Sequence, residues 1–223
     1  CGSDIQSICD KFKSELSGYH AINSPPVKEA VWEQILKNVL SHKCTISDTA
    51  EGDHVSGKDM IANGCGLSAK TTKMKNKKSL RVSSYRLTTV CSDSNPGVPM
   101  DILGEIQKRD LSFKFYALLN RLEYTSIGGE NMIHYKMYLI PRNASFFDVS
   151  ETDFKPIVGK KGKKKDTQIG WSAKNFSISF PMSSQLWISL DIDDITPYMI
   201  CECTINNSLS KMSYTDVAQM MNR

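Results

Sequence analysis

The chain has 223 residues, 40% hydrophobic and 23% charged, which is enough to bury a core unaided and too apolar for wholesale disorder. No apolar run approaches the roughly 18 to 20 residues of a membrane helix, and the opening Cys1-Gly2-Ser3-Asp4-Ile5 has no signal-peptide pattern. A cytoplasmic protein with no membrane partner is expected, its seven cysteines reduced and its net charge of +4 unevenly spread.

In chain order, Pro25-Pro26 opens a helix over residues 28–40, with Val31, Ile35, Leu36 and Val39 on one face. Residues 44–50 suit a short strand. Asp53 to Gly57 read as a turn into a strand around Asp59-Met60-Ile61. Asn63-Gly64 is a hairpin-turn signal, and Gly66 to Thr71 is the return strand. No acid occurs between Asp59 and Asp93, whereas Lys70, Lys73, Lys75, Lys77, Lys78, Arg81 and Arg86 do. Ser83-Ser84-Tyr85-Arg86 suits the start of a helix that contacts phosphate, or a plain cap.

Residues 101–123 carry Ile102, Ile106, Phe113, Ala117 and Leu118 at mostly helical spacing, with a break near Asp110. Gly128-Gly129 leads to a strand over Met132 to Ile140. A glycine-lysine loop at about 155–166 holds Lys155, Lys160, Lys161, Lys163, Lys164 and Lys165. Two more strands, Phe176 to Phe180 and Leu186 to Asp191, precede a terminal helix. Trp171, Ser172, Lys174 and Gln185 are candidate readers of base edges, and Trp187 is assigned to the core. The sum is one α/β domain spanning residues 1–223, a central mixed sheet flanked by helices.

Thirteen of the 28 Lys and Arg residues fall in the two clusters. Such concentration fits a phosphate backbone. At the head of the first cluster, Asp59 and the triplet Ser68-Ala69-Lys70 sit on paired strands, with Ser68 and Lys70 on one face because side chains repeat every second residue. A carboxylate beside a lysine suits metal-dependent phosphodiester cleavage. The carboxylate holds a divalent ion, and the lysine offsets transition-state charge.

The segment from Glu51 to Arg86 resembles the PD-(D/E)xK nuclease motif, in the variant with serine at the acidic position found in some type II restriction endonucleases. The resemblance implies a restriction endonuclease-like core, Mg²⁺ as cofactor, Asp59 as metal ligand, Ser68 at the acidic position and Lys70 as the motif lysine. It leaves the site one carboxylate short, and Glu33 on the first helix is the preferred supplement, ahead of Glu51 and Glu105. It further implies site-specific cleavage of double-stranded DNA by a homodimer, since two strands must be cut. The expected DNA contacts are Lys73, Lys75, Arg81, Ser83, Ser84, Arg86, Lys160, Lys161, Lys163, Lys164, Lys174 and Gln185.

Two other readings stay open. Gly64-Cys65-Gly66 resembles the glycine-flanked nucleophile of chymotrypsin-like viral cysteine proteases, with His20, His42, His54 or His134 as base. A non-catalytic nucleic-acid-binding module would use the same lysines with Asp59 structural. Cys201-Glu202-Cys203 lacks the further ligands of a zinc site and reads as buried or edge-strand thiols.

Overall fold

The computed structural model describes residues 2–47, 58–74, 78–86, 97–160, 165–174, 176–179, 185–209 and 211–221. Two helices come first, α1 (Gly2–Ile22) and α2 (Glu29–Ser41). In α1, Phe12, Leu16 and His20 recur every four residues and form one buried stripe. In α2 the buried set is Trp32, Ile35, Leu36, Val39 and Leu40, so the helix expected over 28–40 is present. Both helices cover one face of a six-stranded sheet, ordered β1 (Ile46–Ser47), β2 (Met60–Ala62), β3 (Cys65–Lys73), β5 (Phe115–Thr125), β6 (Asn131–Pro141), β11 (Met199–Asn206). Of its neighbours only β3 and β5 run parallel, which makes the sheet mixed.

The first core lies between these helices and that sheet. Phe12 meets Trp32 edge-on at 6.3 Å, and Trp32 Nε1–H donates to the Ala117 carbonyl at 2.9 Å, tying α2 to β5. Full burial of each such side chain stabilises by about 1.5–3 kcal/mol. His20 Nε2 sits 2.9 Å from the Tyr135 hydroxyl, which also accepts the Val27 N–H at 3.1 Å. Burial pushes the Tyr135 phenol up to about 12.

The opposite face of the six-stranded sheet meets a second, five-stranded antiparallel sheet. Its order is β4 (Ser79–Arg86), β10 (Gln185–Asp191), β9 (Phe176–Ser179), β8 (Gln168–Ala173), β7 (Phe154–Val158). Leu80, Val82, Ile178, Ile188 and Leu190 from this sheet pack against Leu118, Tyr138 and Ile140 from the first. Helix α3 (Pro99–Arg109) adds Ile102, Leu103 and Ile106. The short α4 (Ile192–Ile195) links β10 to β11, and α5 (Tyr214–Met221) is the terminal helix. The class is therefore mixed α/β, with helices on both faces of the central sheet and a second sheet on one of them.

Several expectations need correction. The helical pattern over 101–123 holds only to Arg109; a short 3₁₀ turn follows at Asp110–Ser112, and Phe115 begins a strand. Residues 117–120 of β5 are buried on both faces, and such a strand reads as an unbroken apolar run whose period does not betray it. Ser83, Ser84 and Arg86 belong to β4 rather than to a helix start. The strand at 44–50 reduces to Ile46–Ser47, with residues 48–50 outside the described set. Reduced cysteines throughout are also corrected: Cys9 on α1 and Cys201 on β11 form a disulfide. Helix α1 has no counterpart among the expected elements.

Candidate active site

The hairpin of β2 and β3 sets the geometry. Ala62 pairs with Cys65, so Asn63-Gly64 is a two-residue loop, and both residues have positive φ, 47° and 75°. That is the turn whose twist suits a hairpin and for which Asn-Gly is the favoured pair. The pairing continues as Met60 with Leu67, and Asp59 N–H donates to the Leu67 carbonyl at 2.8 Å. Asp59 is thereby brought beside Ser68. Gly66 serves a neighbour: a Cβ there would stand 2.9 Å from the Ser112 carbonyl, where the chain enters β5.

Asp59 Oδ2 accepts the Ala69 N–H at 2.6 Å and the Ser68 hydroxyl at 3.3 Å, and Lys70 Nζ lies 3.8 Å away. Lys70 Nζ donates to Glu29 Oε1 at 2.9 Å and to the Ala69 carbonyl at 2.9 Å. Glu29 opens α2, and Glu33 follows one turn later on the same side. Ser68 is 1% exposed, so its hydroxyl is fixed toward the carboxylate. Burial raises the pKa of Asp59, partly countered by Lys70 and the Ala69 N–H, while the Glu29 charge adds to the rise. Burial also raises Glu33, reinforced by the charges of Asp59 and Glu29.

The structure places Asp59, Ser68, Lys70 and Glu33 near one another and adds Glu29 to the group. The signal for Glu29 was its place one turn before Glu33, just after the paired prolines. Glu51 lies outside the described residues, and Glu105 is on α3, whose apolar side joins the second core. Among the described residues, no three His, Cys, Asp or Glu side chains form a ready-made metal cage.

The expected DNA contacts divide. Thr72 Oγ1 donates to the Arg81 carbonyl at 2.6 Å, and Lys70 lines a small cavity with Val82 and Ile188, so β4 runs back along β3 toward the acidic cluster. Arg86 pairs with Gln185 at that end of the second sheet. Lys160 lies in the β7–β8 connection, where Gly159 and Lys165 bridge. Lys75, Lys161, Lys163 and Lys164 fall outside the described residues. Lys73 closes β3 and pairs with Glu123 at 3.0 Å, and exposed Lys174 pairs with Asp153 at 3.3 Å. Both are committed to acids.

Trp171 and Trp187 are placed the other way round from expectation. Trp171 packs against the second core, whereas Trp187 faces away from it with the Arg81 guanidinium 4.9 Å above its ring. For a thiol hydrolase, the described histidines are engaged elsewhere: His20 with Tyr135, His42 with Ser7 at 2.7 Å, and His134 with Thr204 and Glu202. His54 is outside the described residues.

No family model and no curated protein matches this chain. Among solved structures it is similar to a restriction endonuclease in complex with substrate DNA, at 10% identity and TM-score 0.43, covering 98% of this chain and 92% of that one. It is also similar to cyanobacterial PsbP (CyanoP) from Synechocystis sp. PCC 6803, at 10% identity and TM-score 0.18, covering 70% of this chain and 80% of that one. At these scores neither likeness fixes a function. Among the described residues, no helix is long and apolar enough to cross a membrane.

Proposed function

We propose that this chain is a Mg²⁺-dependent endonuclease that hydrolyses double-stranded DNA at a specific site, acting as a homodimer in the manner of a type II restriction enzyme. The observation that carries the reading is the cluster of Asp59, Glu33 and Glu29 around Lys70, in which burial and neighbouring acids raise the pKa of both Asp59 and Glu33. Magnesium usually takes one or two carboxylates and fills its shell with water and substrate phosphate, so an incomplete protein cage suits it. Asp59 and Glu33 would hold the ion. Once bound, it would polarise the phosphate and lower the pKa of a coordinated water.

The protein groups divide the remaining work. Lys70 sits where its ammonium can offset charge growing on the phosphoryl oxygens. Glu29 and the Ala69 carbonyl hold that ammonium in place. The Ser68 hydroxyl and Ala69 N–H fix the rotamer of Asp59. One observation favours a second reading: with Glu29 as its partner, Lys70 makes a self-contained ion pair, as a non-catalytic DNA-binding protein would have.

Digestion of a long sequenced DNA by the purified protein, with Mg²⁺ or with EDTA, separates the two. Discrete fragments that need Mg²⁺ are expected. Intact DNA with every divalent cation tried would overturn the nuclease and leave the binding module.

A further inference from the structure

The second sheet has an outer face on which no described apolar cluster builds. Its register can be followed across all five strands. Arg81 on β4 stands opposite Ser189 on β10, Ser189 opposite Ser177 on β9, Ser177 opposite Ser172 on β8, and Ser172 opposite Lys155 on β7. Residues directly opposite in antiparallel strands share a face, so the row is a cation at each edge with three hydroxyls between. Solvent-facing strand positions favour β-branched and aromatic side chains. A serine floor is shallow instead, and leaves room for another molecule's backbone.

The charge is one-sided. Strands β4, β7, β8 and β9 contain no Asp or Glu, and the one acid of β10, Asp191, accepts the Asp193 N–H to cap α4. Beside the row, Trp187 lies under Arg81, whose Nη2–H also donates to Ser179 at 3.3 Å, holding the guanidinium over the floor. Four interstrand spacings of roughly 4.8 Å make the face about 19 Å wide. The major groove is about 12 Å wide and admits a two-stranded ribbon at most. A five-stranded face therefore straddles a groove instead of entering it.

We propose that this face is a cradle for the sugar-phosphate backbone of duplex DNA, with Arg81 and Lys155 meeting the two strands on either side of one groove and Ser177 and Ser189 donating to phosphate oxygens between them. The proposal rests on duplex DNA being the partner of the acidic cluster. It assigns the sheet affinity without sequence preference, since phosphate contacts position a protein but carry no base information.

The test is a fluorescence-anisotropy titration of the full chain with a labelled duplex, in EDTA to prevent cutting, over a salt series. Ser177→Asp with Ser189→Asp should weaken duplex binding by about tenfold or more, because two carboxylates then face phosphates. Lys155→Gln should reduce the slope of log affinity against log salt by about 0.9, one phosphate contact. Thermal melting shows that each variant is folded. Parent-like affinity in the folded aspartate variant would overturn the cradle, and so would a parent chain that binds single strands more tightly than duplex. Mg²⁺-dependent cutting is assayed in parallel. A variant that cuts and binds like the parent discards the cradle and keeps the nuclease; one that loses binding, in a chain that never cuts, does the reverse.

Discussion

Polar groups gather in two regions of this protein under opposite rules. Around Asp59, just before β2, side chains from α2 and β3 converge on one point, and burial raises the acids there. Across the second sheet, polar side chains are spread in register at interstrand distance, with cations only at the edges. The first arrangement stores electrostatic tension that a cation or a proton relieves. The second stores little, because hydroxyls on an accessible face keep their water. A region built by convergence should fail sharply when one member is altered, and one built by repetition should fail by degrees.

The sharpest test is Asp59→Asn, which keeps the side chain's size and removes its charge. It should lower the Mg²⁺-dependent cleavage rate by orders of magnitude while leaving gel-shift affinity for duplex equal or higher. Lys70→Ala should also abolish cleavage, at some cost in affinity because a positive charge is lost. Ser68→Ala should be milder, since the hydroxyl acts through Asp59. Near-normal cleavage by folded Asp59→Asn protein would remove the distinction between the two regions.

A thermodynamic test comes next in size. Burial raises the folded-state pKa values of Asp59 and Glu33 from their ordinary values, so their ionised forms oppose folding. Their stabilising effect is complete at acidic pH and is lost as pH rises through the raised values. A bound cation reverses this, because it needs the ionised forms. Calorimetric titration should show Mg²⁺ affinity rising with pH over that range, with protons released on binding. Proton-free binding at constant affinity would separate Asp59 and Glu33 from the cation.

The smallest expected effect lies in the lysine-rich connection. Replacing Lys160 and Lys165 by Gln should lower the salt slope of duplex binding by less than two units, at about 0.9 per phosphate contact. An unchanged slope would make that connection a solubilising element alone.

The convergent region was the more legible of the two in the sequence. Asn63-Gly64 announces a two-residue turn, and that turn alone fixes the register that puts Asp59 beside Ser68 and Lys70. The helix carrying Glu33 follows from its apolar period and the prolines before it. Glu29 shares the helix side of Glu33 one turn earlier, but its pairing with Lys70 forms only when α2 lies across β3. On the second sheet the signal was present but misassigned. In β10, Leu186, Ile188 and Leu190 alternate with Trp187, Ser189 and Asp191, which already marks the tryptophan as belonging to the polar set. Residues 117–120 gave no such help, since a stretch of strand buried on both faces has no alternation to read.

The parallel pairing of β3 with β5 also bears on how the acidic cluster is assembled in time. The β2–β3 hairpin closes over two residues, and such hairpins form in about 1–10 μs. Leu67 must then find Phe115 across β4 and α3 before β5 can receive the Trp32 donor that docks α2. Long closures of this kind are slow. Asp59 thus meets its strand partners early, while Glu29 and Glu33 arrive only with the helix. Contacts absent from the transition state act on the unfolding rate and spare the folding rate. A cation held jointly by strand and helix should therefore slow unfolding and leave refolding unchanged, with buried Trp32 as the fluorescent reporter.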